Sequence, residues 1–188
     1  MVTQDIMKLK MQKLKIECLC KRGGMGMKYQ AIKKQDMLNG DGIRVSFWSS
    51  GCPHHCKGCH NPETWDIDSG TLVTQDTYKE LALALEPSYI SGITWTGGDC
   101  LHPDNRKEIE DLIIFVHDNF QKTQWLYTGY HWNDIKDLEI IKYLDVIVDG
   151  PYIEELRDIS LKWRGSSNQR VIDVKKTLET GQIVLWCD

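Results

Sequence analysis

The sequence predicts an α/β protein built on a mainly parallel sheet. Segments rich in β-branched and aromatic residues alternate with segments of helical period along most of the chain. Glycine-rich or cysteine-rich turns follow the strand-like segments directly. A length of 188 residues, with 41% hydrophobic and 27% charged side chains, suits one soluble globular domain with a core of ordinary size.

The elements follow in order. "IRVSFWSS" (43–50) is β-rich and runs straight into three cysteines. Thr74 can cap a helix through about Glu86, with Tyr78, Leu81, Ala82 and Leu85 on one face. "GITWTGG" (92–98) reads as a short strand ending in glycines. Asp104 or Asn105 can cap the next helix, whose stripe is Ile109, Leu112, Ile113, Val116 and Phe120. "TQWLYTGY" (123–130) is a third strand, followed by a looser helix from about Asn133 to Tyr143. "DVIVDGP" (145–151) is a fourth, and "QRVIDV" (169–174) and "QIVLWC" (182–187) extend the series. Chemistry in parallel sheets sits at the carboxyl ends of strands. That places the cysteine loop, Gly97-Gly98-Asp99 and Asp149-Gly150 on one rim.

Charge and composition exclude several functions. Residues 1–34 carry a net +7 and the rest −11, so the body is acidic and offers no basic stripe for nucleic acid. No apolar run approaches the ~20 residues of a membrane span, and no signal peptide is evident. Seven cysteines without such a signal point to a reducing, cytoplasmic setting, where clustered thiols bind metal or do redox chemistry.

Cys52, Cys56 and Cys59 stand in "GCPHHCKGCHNPETW" with the spacing C-x3-C-x2-C. Structural zinc takes four ligands, and cubane clusters in electron carriers usually take four cysteines. Three thiolates suit a metal with a vacant position, either a cubane with one open iron or a catalytic zinc. A closed Cys3His zinc site with His54, His55 or His60 stays open as an alternative.

The motif at the end of a first strand resembles the signature of the radical S-adenosylmethionine enzymes. The chain is similar, more closely, to the branch that activates anaerobic (class III) ribonucleotide reductase. "NGDGIRVS", "TGGDCLHPDN", "WLYTGY", "DVIVDGPY" and "RGSSNQRVIDV" accompany the cysteine motif in that family's order, over about residues 27–174. The resemblance implies an incomplete, open β/α barrel of the radical S-adenosylmethionine type. It implies a [4Fe–4S] cluster on Cys52, Cys56 and Cys59, with S-adenosyl-L-methionine as cofactor. Gly97, Gly98 and Asp99 would bind that cofactor: the glycines by close backbone approach, Asp99 by accepting bonds from its methionine amino group. Many radical S-adenosylmethionine enzymes have Glu at that position, whereas this branch has Asp. Reductive cleavage would give methionine and a 5′-deoxyadenosyl radical, which takes hydrogen from a glycine of the large reductase subunit. No catalytic residue beyond cluster and cofactor is implied; the partners are the reductase and a low-potential electron donor. An activase of another glycyl radical enzyme, of the pyruvate formate-lyase type, and a non-catalytic zinc-binding module remain alternatives.

Other positions carry two readings each. His54, His55 and His60 either bond to cluster sulfurs or face solvent. Asn61, Pro62 and Trp65 turn the loop back. Cys100 stands where the branch commonly has proline and reads as a small buried residue. Asp149 either faces the cofactor or makes a turn, and 164–170 grips a ligand or caps a helix. Arg44 is expected to pair with an acid of the body. Residues 1–26 lie outside the resemblance; they read as a disordered extension or a start-site artefact, since Lys-Arg-Gly-Gly before Met27 can be encoded as a ribosome-binding sequence. Residues 27–188 then form the single domain.

Overall fold

A computed structural model describes residues 26–187. The expectations for the extension before Gly26, with Cys18 and Cys20, lie outside these residues. Seven strands form one mixed sheet: β1 (Lys28–Asp36), β2 (Ile43–Ser49), β3 (Thr71–Leu72), β4 (Ile90–Gly97), β5 (Thr123–Tyr127), β6 (Val146–Asp149) and β7 (Arg170–Asp173). Their spatial order is β3-β1-β2-β4-β5-β6-β7. The four central strands β2, β4, β5 and β6 run parallel. Both margins are antiparallel, β1 against β2 and β3, and β7 against β6.

The parallel centre follows from its crossovers. Helix α1 (Gln75–Leu85) links β2 and β3 to β4, and α2 (Arg106–Asn119) links β4 to β5. Tyr78, Leu81 and Leu85 of α1 are buried, as are Ile109, Leu112, Ile113 and Val116 of α2. Both stripes therefore lie where the helical period puts them, against Val45, Phe47, Ile93, Trp95 and Leu126 in one core. The antiparallel margins have a different cause. Between Asp149 and Arg170 there is no α-helix, only a 3-10 turn at Glu154–Leu156, so the chain returns beside β6 instead of crossing a face. Strand β1 falls in a segment without clean alternation, "KYQAIKKQD", and was not anticipated.

Three other elements differ from expectation. The looser helix divides into α3 (Trp132–Ile135) and a 3-10 turn, Glu139–Tyr143, separated by extended backbone at Leu138. Residues 182–187 make a single antiparallel bridge, Leu185 to Ile172, rather than a full strand. Helix α4 (Val174–Thr180) fills the space between and ends at Gly181 in the left-handed conformation.

Arg44 corrects a further expectation. Among the described residues it has no carboxylate partner, although it is 1% exposed. Its side chain crosses β4 and β5. Nε donates to Thr94 Oγ1 at 2.7 Å, and one terminal nitrogen donates to the Ile93 carbonyl at 2.7 Å and the Thr123 carbonyl at 3.1 Å. The other donates to Thr123 Oγ1 at 2.9 Å. The guanidinium lies 5.2 Å from the Trp125 ring, a cation–π distance. Burial pulls its pKa down to about 10.

The second face of the sheet carries a smaller apolar cluster, Trp125, Val146, Val148 and Val171, with Trp163 packed against it. Trp163 belongs to the 150–169 connection and meets Trp125 edge-on at 6.0 Å. That connection thus covers the second face and stands beside the carboxyl rim of the strands.

Candidate metal and cofactor site

The parallel strands bring four segments to one rim, and a cleft of about 470 Å³ opens there. Cys52, Cys56 and Cys59 line it, with Gly97 and Gly98, Thr128 and Gly129, and Gly150 and Tyr152. Asp99, Cys100 and Asp149 do not.

The cysteine loop is sewn to the strand-end turn by backbone bonds. Gly51 N–H donates to the Thr64 carbonyl at 2.8 Å and Cys52 N–H to the Trp65 carbonyl at 3.1 Å. Asn61, Pro62 and Trp65 therefore do fold the loop back. Gly98 N–H reaches the Ser49 carbonyl at 2.9 Å, and Asp99 N–H the Gly51 carbonyl at 2.7 Å. Gly97 has φ +108°, and a Cβ there would fall 2.5 Å from Ser49 N. A Cβ on Gly98 would overlap the Gly51 carbonyl. The two glycines let the chain approach the cysteine loop closely, a constraint separate from any ligand.

Each thiol receives backbone donors. The backbone of His54 and of His55 favours the Cys52 thiolate, and that of Tyr152 the Cys56 thiolate. Asn61 N–H lies 3.4 Å from Cys59 Sγ. His55 holds φ +45°, a left-handed conformation within the cysteine loop. Burial nonetheless pushes the Cys52 thiol up to about 11, and the Cys56 thiol also upward. Without metal these thiols are protonated at neutral pH, and binding metal must displace the protons. His55 stacks on Trp65 at 4.8 Å. His60 faces Tyr152 at 6.0 Å.

Asp99 is 1% exposed, and four protein donor groups meet its carboxylate. Leu101 N–H donates to Oδ1 at 2.8 Å. Gly129 N–H and His54 Nε2 approach Oδ2 at 2.9 and 2.8 Å. The Thr128 hydroxyl lies 3.0 and 2.9 Å from the two oxygens. These fill the acceptor capacity of a carboxylate. Thr128 and Gly129 belong to "WLYTGY", a segment to which the sequence attached no role; its place just after a strand was the available signal. Tyr152 was missed likewise.

Asp149 takes neither expected role. It is fully buried, bonded to Arg170 and to Trp132 N–H at the start of α3. This bond raises the Arg170 pKa. Asn105 precedes α2, yet its side chain donates to the Ser50 carbonyl at 2.7 Å instead of capping. In the 164–170 loop, Gln169 Oε1 accepts from Gly165 and Ser166 N–H at 3.0 and 3.2 Å. Arg164 lines the cleft, and its Nε is buried without a partner. Trp65, which also lines the cleft, has an unpartnered buried donor in Nε1. Cys100 is fully buried, its Sγ 3.4 Å from both Ser49 Oγ and the Thr96 carbonyl.

The donor set fits an iron–sulfur cluster. Three soft thiols share a cleft, each with N–H donors on sulfur, as cluster ligands have. A closed Cys3His zinc centre would use the same thiols and is told apart by metal content, zinc against iron and acid-labile sulfide. The two orphaned donors show that the cleft has polar capacity left for a further ligand.

Comparison with known proteins agrees with this chemistry. A family model described as a 4Fe-4S single cluster domain matches residues 38–172. An anaerobic ribonucleoside-triphosphate reductase-activating protein of Enterobacteria phage T4 is 50% identical over 146 residues, 77% of this chain and 93% of the relative. Proteins of the same name from Vibrio cholerae serotype O1 and Escherichia coli K12 are 38% and 36% identical, covering 76% and 77% of this chain and 96% and 97% of theirs. Three thiols on one rim and relatives matched over nearly their whole length lead to one assignment: the chain belongs to the family of anaerobic ribonucleoside-triphosphate reductase-activating proteins and carries its 4Fe-4S domain.

Proposed function

We propose that this protein activates anaerobic ribonucleoside-triphosphate reductase as a radical S-adenosylmethionine enzyme. The observation that carries the reading is the set of three thiols, Cys52, Cys56 and Cys59, in one cleft with no fourth cysteine among its lining residues. Three ligands leave one iron of a [4Fe–4S] cluster for S-adenosyl-L-methionine. A reduced cluster held there would supply the electron for cleaving the sulfonium, and the hydrogen atom abstraction this makes possible would leave a stored glycyl radical on the reductase.

The chain's own residues bind, orient and shield. The Gly97-Gly98-Asp99 segment offers its backbone to the methionine end of the cofactor, with the Asp99 carboxylate bracing the segment from behind. Arg164 Nε and Trp65 Nε1 are free donors for the cofactor's acceptors. Trp163, Leu161 and Ile159 give the cleft an apolar wall that would limit water at the reacting centre once the cofactor and partner cover it.

The fold we propose is the open β/α barrel. Its support is the parallel run β2-β4-β5-β6 and a sheet order whose two ends, β3 and β7, do not pair. An open edge admits a glycine loop of the partner. A low-potential reductant supplies the electron, and the setting is a reducing cytoplasm. No helix among the described residues is long and apolar enough to cross a membrane. The acidic body disfavours nucleic acid.

The experiment is anaerobic reconstitution followed by incubation with the reductase, reductant and S-adenosyl-L-methionine. A glycyl radical signal in electron paramagnetic resonance supports the reading. Cofactor cleavage without that signal assigns the chain to a different glycyl radical partner.

A further inference from the structure

We propose that Asp99 is a positioning residue acting through His54: it fixes the His54 ring and so the N–H that bonds the Cys52 sulfur. The inference rests on the cluster reading above and adds a role to a carboxylate expected to touch the cofactor directly.

The chain of contacts is short. Asp99 Oδ2 lies 2.8 Å from His54 Nε2, which donates as N–H to a carboxylate. Asp99 is 1% exposed and absent from the cleft lining, whereas His54 lines the cleft. The imidazole is held on two further sides. Tyr130 meets it edge-on at 4.7 Å. The Gly129 backbone lies so close that a Cβ there would overlap the ring. His54 also sits between Cys52 and Cys56 in sequence, and its backbone favours the Cys52 thiolate. The ring is thus anchored to the strand-end turn, while the backbone of the same residue bonds a cluster ligand.

The anchor ties three rim loops together. Leu101 belongs to the turn after β4, Thr128 and Gly129 to the exit of β5, and His54 to the cysteine loop. Backbone bonds join the start of the cysteine loop to the strand-end turn, and the His54 contact extends that link to the stretch between Cys52 and Cys56. A buried carboxylate with all its acceptor sites filled holds both in one frame. Its consequence is electronic as well as mechanical. Hydrogen bonds to cluster sulfurs raise the reduction potential, so a loosened His54 N–H lowers it.

The test is a double-mutant cycle on the reconstituted protein without S-adenosyl-L-methionine, read as midpoint potential, with apo-protein Tm as a second readout. His54→Ala is expected to lower the potential. Asp99→Asn removes a negative charge, which raises the potential, and also removes the anchor, which lowers it. In the His54→Ala background only the charge effect remains, so Asp99→Asn raises the potential more there than in the wild type. In apo-protein the two Tm losses are expected to be less than additive. Equal shifts in both backgrounds, or an unchanged potential in His54→Ala, overturn the proposal. If Asp99→Asn does not fold, Asp99→Glu, which keeps the charge and displaces the carboxylate, takes its place: it is expected to lower the potential in the wild type and leave it unchanged in the His54→Ala background, and equal shifts in both overturn the proposal. A wild type that takes up no cluster defeats the functional reading instead, and the anchor is then judged on the apo-protein cycle.

Discussion

Two buried charges, Asp99 at the rim and Arg44 within the strands, show how the same device serves different ends. Both are 1% exposed, and among the described residues neither lies in an ion pair with a lysine, arginine, aspartate or glutamate. Arg44 gives its donors to strand carbonyls and threonine hydroxyls of β4 and β5. It fastens secondary structure to itself. Asp99 takes its donors from three loops, one of them bearing the cysteines. It fastens loops that have no ladder to hold them. Loss of the first should cost the fold, and loss of the second should alter the site within a standing fold.

The largest expected effect lies outside both, at the thiols. Replacing Cys52, Cys56 or Cys59 singly by Ala abolishes the stable cluster in iron and sulfide counts. Cys100→Ala and Cys187→Ala keep it, since Cys100 is buried away from the cleft and Cys187 packs against the second apolar cluster. Loss of the cluster in Cys100→Ala would make it a fourth ligand and remove the open iron.

Next comes Arg44→Met. It strands several buried acceptors, each worth about 1–3 kcal/mol, so a loss of roughly 3 kcal/mol or more is expected. For a domain of this size that lowers Tm by roughly 10 °C in thermal unfolding. The cluster spectrum of the folded protein stays unchanged. A changed spectrum with an unchanged Tm would reverse the roles assigned to the two charges.

A smaller effect follows from Gly98→Ala. The new Cβ overlaps the Gly51 carbonyl and displaces the cysteine loop from the turn. The expected cost is about 1–3 kcal/mol, with reduced cluster loading per chain.

The smallest is a pH dependence of the apo-protein. Burial raises the Cys52 thiol from 9.0 to about 11. A raised pKa means that the folded state holds the proton more tightly. The associated stability is whole below pH 9.0 and drains as pH climbs to about 11. Tm should fall across that window, and less steeply in Cys52→Ala. Cluster loading, which needs thiolates, should run faster in the same direction.

Much of this was legible in the sequence, for stateable reasons. The stripes of α1 and α2 are strictly periodic, and Ile109, Leu112, Ile113 and Val116 are buried as the period requires. The cysteine loop, the Gly97-Gly98 turn and Gly150 follow strands, so parallel pairing alone brought them to one rim. What stayed hidden depends on long-range partners. Asp149 and Arg170 are 21 residues apart, yet pair because β7 returns antiparallel, a topology with no local signal. Arg44 found carbonyls instead of acids because it points across β5, whose position no neighbour in sequence reveals. Strand β1 lacks alternation because its residues are mostly half-exposed at a margin of the sheet. The bond from His54 to Asp99 spans 45 residues and two loops.

The most direct test of the central claim is the detection of 5′-deoxyadenosine after anaerobic reconstitution, with dithionite as reductant and S-adenosyl-L-methionine as substrate. The wild type should contain iron and acid-labile sulfide and form 5′-deoxyadenosine, while each Ala variant of Cys52, Cys56 and Cys59 forms none. A wild type that holds zinc and releases no 5′-deoxyadenosine would contradict the account.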